Sequence, residues 1–356
     1  MKLKITLLSI LIVFVSFSCR NDNTIQEQVN PLPTNIYYPP LVGKTWETIA
    51  PEKLGWDISK LNDAIDFVAN NNSSAFIILW KGRIVVEKYW LNTNDETSNK
   101  IFSATKSMSA FLVGLAQEQG KLNINDKVSQ YLGNGWSNEN QAQESQITIK
   151  QLITMTSGLG DNLGYDAPAG SKWYYNTVAY HKIYDVLSAA YNQTNTQYTQ
   201  QQLWSKIGMQ NSFWDTEPGN GPTMSCSGRD MARFGLLIQS NGKWDGTTIM
   251  NDSNYFQNMT NTSQNFNQSY GYYWWLNGKN SYMLPGSSGT IFNGSLFPNA
   301  PNDLIAALGH GDKKIYVCKS KDLVVIRHGM PSNYPVTYAL SDFDNILWTK
   351  LSAAIH

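Results

Sequence analysis

The chain has 356 residues with 27 Lys+Arg against 27 Asp+Glu, so it carries neither a basic field for nucleic acid nor an acidic tail. Charged residues are only 15%, while 12 Trp and 19 Tyr supply an aromatic interior; disorder, coiled coil and a multi-span membrane protein are excluded. Three Cys and four scattered His exclude a disulfide-dense miniature and a zinc scaffold.

At the N-terminus, Lys2 and Lys4 precede an apolar run from Ile5 to Phe17. As a helix this run spans about 20 Å, short of the ~30 Å hydrocarbon core of a bilayer, and so reads as a secretory signal peptide over residues 1–18. Its end, Ser16-Phe17-Ser18-Cys19, resembles a bacterial lipoprotein signal, which implies that the Cys19 thiol carries the lipid. Ordinary secretion with cleavage nearby is the alternative, and both export the body to the cell envelope, periplasmic or surface-facing. Removing residues 1–18 leaves 25 basic against 27 acidic side chains. Cys226 and Cys318 then remain as an even pair, either a disulfide or two buried thiols. Residues 19–45, polar and broken by Pro31, Pro33, Pro39 and Pro40, read as a tether between membrane and domain.

Pattern begins at Trp46. Asp57 is placed to cap a helix reaching Asn70, with Leu61, Ile65 and Val68 on one face. Two β-rich runs follow, Ala75–Trp80 and Ile84–Trp90, joined by the turn Lys81-Gly82-Arg83. A helix is predicted from Ser103 to Gly120. The middle reads mostly helical: 126–131, 149–156, 177–191, 200–207 and 228–240. Strand period returns at 270–276, 304–309, 315–318 and 323–327, and a helix over 338–354 closes the chain. Strands at both ends with helices between predict an α+β fold: an antiparallel sheet flanked by helices (about 46–120 and 262–356) and an inserted, mostly helical part (about 121–261).

The chemistry concentrates at Ser103-Ala104-Thr105-Lys106. Three residues apart at a helix N-terminus, Ser103 and Lys106 share a face. A serine hydroxyl needs a base to take its proton, and a partly buried Lys with a lowered pKa serves. The helix start adds unpaired N–H groups for a developing oxyanion. S-x-x-K alone is weak, since Ser240-Asn241-Gly242-Lys243 also matches, inside an Asn-Gly turn. A second constellation, Tyr174-Tyr175-Asn176, lies just before a helix and is the only Y-x-N in the chain.

In this order the two motifs resemble the serine β-lactamase and penicillin-binding-protein superfamily, nearest to class C β-lactamases and their esterase and amide-hydrolase relatives. Supporting stretches are Gly120, Leu122, Asp126, Val128, Tyr131 and Leu132, then Leu152–Leu159, then the helix from Gly228. The resemblance spans about residues 46–356 and implies a β-lactamase/transpeptidase-like fold. It implies Ser103 as the acylated nucleophile and Lys106 as its activating partner. Tyr174 would share acid and base duty with its phenol held low in pKa by Lys106, while Asn176 would orient Lys106 or a substrate amide. Tyr175 and Trp173 are assigned to the pocket wall. The resemblance further places His310 and Gly311 where relatives carry K-T-G beside the substrate, with Asp312 where they often have another Gly. A mostly neutral His is a poorer carboxylate anchor than an ammonium, which favours ester or amide hydrolysis. The expected activity is therefore a serine hydrolase forming an acyl-enzyme on a small-molecule or peptide-like substrate, with no cofactor, metal or nucleic acid. A β-lactamase, a D-amino-acid-specific peptidase and a stalled, non-hydrolytic sensor are the alternatives.

Overall fold

The computed structural model describes residues 31–215, 221–287, 289–337 and 340–355. The segment expected to be a signal peptide, residues 1–18, and Cys19 lie outside the described residues. Helix α1 (Ile58–Ala69) starts where Asp57 accepts the Lys60 N–H, and it buries Leu61, Ala64 and Val68. Strands β1 (Ser73–Trp80) and β2 (Arg83–Tyr89) form a hairpin across Lys81 and Gly82, both at positive φ, the tight turn that the Gly permits. Helix α2 spans Thr105–Glu118, α3 spans Thr177–Tyr191 and α4 spans Gly228–Gln239. Near the C-terminus come β3 (Trp275–Leu276), β4 (Ile305–Gly309), β5 (Lys313–Cys318), β6 (Leu323–Gly329) and α5 (Asp342–Ala354).

The strands assemble as one six-stranded antiparallel sheet in the order β2-β1-β6-β5-β4-β3, so both ends of the chain contribute. The chain has the mixed helix and antiparallel-sheet architecture that the sequence predicts. Strand alternation divides the sheet into two working faces. Ile77, Ile315 and Val324 face α4, which comes so near that a Cβ on Gly235 would lie 2.4 Å from Val324. The opposite face carries Tyr316 and Arg327 against Trp348 and Phe343 of α5. There Lys314 is buried with Asp344 at 2.8 Å and Asp312 at 3.1 Å, and the Tyr316 hydroxyl donates to Asp344.

Local differences from the sequence reading have local causes. The expected strand over 270–276 shrinks to Trp275–Leu276 because Gly271 runs backbone-to-backbone against Met259, where a Cβ would lie 2.2 Å from its carbonyl oxygen, and Tyr273 has φ +60°. The helix expected over 126–131 begins at Ser129, since the Asp126 carboxylate accepts the Asn123 N–H and the Tyr131 hydroxyl instead of capping. The last helix starts at Asp342 behind a Ser341 capping box. Cys226 and Cys318 are free and buried, the thiol alternative of the two. Among the described residues no helix is long and apolar enough to cross a membrane.

Candidate active site

Ser103 sits in a 3-10 turn, Phe102–Ala104, that feeds directly into α2. The turn is anchored by the buried Ile101, whose N–H donates to the Met224 carbonyl. Phe102 adopts φ +48°, a left-handed conformation that costs a non-glycine residue on the order of 1–3 kcal/mol. Its ring is held edge-on to His310 at 5.7 Å and beneath the Lys313 ammonium at 4.9 Å. Within the turn the Ala104 N–H donates to Ile101 and the Thr105 N–H to Phe102. The Ser103 N–H has no protein acceptor among the described residues, which leaves it available to an oxyanion.

One helical turn on, the Lys106 Nζ donates to Ser103 Oγ at 3.0 Å. Lys106 is 3% exposed, and no carboxylate meets it among the described residues. Its contacts are the ring faces of Tyr180 at 4.4 Å and Tyr175 at 5.1 Å. Burial pulls its amine down to about 7, so near neutrality much of it is an uncharged base.

The tyrosine beside Ser103 and Lys106 is Tyr175, which corrects the placement of Tyr174 there. Residues 171–175 run without helical structure, and side-chain direction alternates along them. Trp173 and Tyr175 turn inward together, Tyr175 stacking on Trp275 at 6.0 Å and meeting Tyr270 at 6.3 Å. Burial pushes the Tyr175 phenol up to about 12, against the lowering influence of the neighbouring Ser103 hydroxyl. Tyr174 points the other way: its phenol is raised by burial and then by the neighbouring Asp161, and its ring lies 5.5 Å from the Lys172 ammonium. Nor is either phenol held low by Lys106, because burial comes first for both and Tyr174 is likewise raised, to about 12.

Asn176 also departs from its expected role. As the N-cap of α3 its Oδ1 accepts the Ala179 N–H at 2.8 Å, and its Nδ2 donates to Leu159 at 2.7 Å and Gly160 at 2.9 Å. Both Nδ2 hydrogens are thereby taken by backbone carbonyls, and none is left to donate to a substrate. Asn176 positions Tyr175 by tying the start of α3 to the 155–160 segment. His310 and Gly311 occupy the β4–β5 turn. His310 is exposed beside Phe102, while the Gly311 carbonyl accepts from Arg327 at 3.0 Å. The Asp312 side chain is withdrawn toward Ser332, Ser341 and Lys314. The strand meets the nucleophile turn at Gly309, where a Cβ would lie 2.1 Å from the Ile101 carbonyl oxygen. The sequence reading ended a strand at Gly309; its close approach to Ile101 comes only with the tertiary structure.

A cavity of about 180 Å³ opens over Ser103 and Lys106, walled by Thr177, Tyr180, His181, Pro222 and Thr223. His181 is pushed down to about 4, first by burial and then by Lys106, and is therefore neutral. Among the described residues no cluster of His, Cys, Asp and Glu is arranged to hold a metal.

Residues 66–311 match the Beta-lactamase family. Protein flp of Staphylococcus aureus is 27% identical over 107 residues, 28% of this chain, and the chain spans about a fifth (21%) of the length of that relative. Among solved structures, a Bacteroides dorei protein assigned as a beta-lactamase superposes with TM-score 0.66 at 15% identity, covering 84% of this chain and 99% of that one. A Bacillus anthracis protein assigned as a 6-aminohexanoate-dimer hydrolase gives TM-score 0.59 at 18% identity, covering 76% and 77%. At these identities the superpositions speak for the fold, and the family match, over more than half of the residues, places the chain in the Beta-lactamase family.

Proposed function

We propose that the protein is a serine hydrolase that cleaves an ester or amide through an acyl-enzyme on Ser103. The observation that carries this reading is the 3.0 Å contact between Ser103 Oγ and a buried Lys106 amine whose pKa lies near 7. In the first step the Ser103 oxygen bonds to the substrate carbonyl carbon as its proton passes to Lys106. The carbonyl oxygen becomes an oxyanion facing the Ser103 N–H. Its collapse breaks the bond to the leaving group, which takes a proton from Lys106 by way of the Tyr175 hydroxyl. Water then repeats the sequence, freeing the acid and regenerating Ser103. A Tyr175 pKa near 12 suits a phenol that relays a proton without resting as phenolate.

Incubation with an activated nitrophenyl ester tests this directly. The parent is expected to release nitrophenol and to show a transient acyl adduct by intact mass, both absent from Ser103→Ala. Equal rates for parent and variant would sink the reading. A persistent adduct without turnover would instead identify a sensor.

The N-terminal sequence supports a further part of the same reading: the enzyme is exported and held at the cell envelope by a lipid on Cys19. The tether expected over residues 19–45 is shortened to about residue 33, because beyond it the Tyr37 N–H donates to the Lys81 carbonyl and Arg233 donates to the Pro40 carbonyl. Metabolic labelling with a radioactive fatty acid should mark the parent and leave Cys19→Ala unlabelled and released from membranes.

A further inference from the structure

A second cavity, of about 570 Å³, shares Lys100 and Phe102 with the one over Ser103. Its rim is apolar. Leu91, Phe102, Phe213 and Met330, each at least 36% exposed, converge on this one opening. Four large apolar side chains presented together to water mark a ligand contact more than scattered surface.

The floor of this cavity is charged. Strand alternation sends Lys314 toward α5, so Lys313 points to the other face, where its Nζ lies over the Phe102 ring. Lys313 is 5% exposed, yet among the described residues its ammonium has no hydrogen-bond acceptor and no ion-pair partner. The carboxylate of its neighbour Asp312 is engaged by Lys314, Ser332 and Ser341. The cavity's remaining ionisable groups cancel or are neutral. Lys100 lies 3.6 Å from Asp215. His328 accepts the Gly329 N–H at Nδ1 and sets Nε2 against the Asn99 carbonyl, the arrangement of an uncharged ring. Arg327, packed behind, donates to four backbone carbonyls and Ser73. Burial lowers Lys313 to about 8, which leaves it mostly protonated at neutral pH.

A buried ammonium without an anion is unfavourable, and a ligand carboxylate would relieve it. The proton-handling Lys106 lines the smaller cavity, so a leaving group that must be protonated departs there. The acyl part then lies across Phe102, in the larger cavity. We propose that this cavity is the acyl-side subsite and selects an apolar chain ending in a carboxylate, the chain on Leu91, Phe213 and Met330 and the carboxylate on Lys313. This assignment rests on the hydrolase reading of the site.

Two measurements test it separately from that reading. The first compares kcat/KM for the mono-nitrophenyl ester of octanedioic acid with that for its ω-methyl ester. The parent should favour the anionic ester by about tenfold or more. That ratio should fall to about one in Lys313→Met and recover in part in Lys313→Arg. The second measures octanoate and octanol binding by calorimetry in a Ser103→Ala background, with and without Lys313→Met. Octanoate should bind about tenfold more tightly than octanol only when Lys313 is present. Equal octanoate affinity with and without Lys313 would overturn the subsite, whatever the esters do. Lys313-dependent octanoate binding without turnover of either ester would support the subsite and overturn the hydrolase.

Discussion

Lys106 and Lys314 are both buried lysines on elements that touch the same sheet, and their surroundings are opposite. Lys314 lies between Asp312 and Asp344, with the Tyr316 hydroxyl completing the cluster. Lys106 has a serine hydroxyl and two aromatic faces. The first set of partners fixes a charge and ties α5 to the sheet. The second leaves the amine free to lose its proton, which is what a base requires. Burial alone therefore says little about a lysine; a carboxylate beside it makes a staple, and without one the amine is left for a proton or a ligand.

The sharpest way to break this comparison is to remove each amine in turn. Lys106→Met should lower ester hydrolysis by about 10³-fold or more while raising the melting temperature, since it deletes a buried, unpaired amine. Lys314→Met should instead destabilise by about 3–5 kcal/mol, because two buried carboxylates lose their cation. Chemical denaturation beside steady-state kinetics separates the outcomes, and equal stability losses would refute the contrast. Next in size, Tyr175→Phe should cost about 10²-fold in kcat/KM while Tyr174→Phe changes it by less than about threefold. The reverse ranking would return the role to Tyr174.

The two lysine environments also imply distinct pH responses. With a pKa of about 7, Lys106 is protonated in acid and cannot accept the serine proton. Log kcat/KM should thus rise with a slope of about one below pH 7 and flatten above it. The Asp312 carboxyl is held below its usual range, as Lys314 and the Ser332 groups outweigh burial. A depressed carboxylate contributes stability that is full above its unfolded pKa of about 3.9 and is lost as pH falls, so acid should loosen the α5 side while the activity limb sits near neutrality. Coincident midpoints would blur the distinction. The smallest effect is expected at Asn176→Ala: about 1–2 kcal/mol from the lost cap, with a fall in kcat exceeding that of an ordinary cap variant because Tyr175 follows the same loop.

Much of this arrangement was legible along the chain. Ser103 and Lys106 lie three residues apart on one helical turn, so local geometry alone brings them together. Asp57 as a cap, the hairpin at Lys81-Gly82 and the span of α3 likewise follow from residues near in sequence. Tyr174 and Tyr175 differ in nothing that a motif can read. Which of them faces the serine depends on the phase of an extended segment, and that phase is set by Trp173, Tyr270 and Trp275 packing on one side of it. Asn176 was visible as a polar residue before a helix, but its three partners come from residues 159, 160 and 179. The sequence by itself thus determined the meeting of Ser103 with Lys106 and the alternation of strands and helices, because these depend on spacing within a turn or two. Only the tertiary structure decided the third member of the site, the close approach at Gly309 and the unpaired ammonium of Lys313, since each depends on what distant chain excludes or supplies at that point.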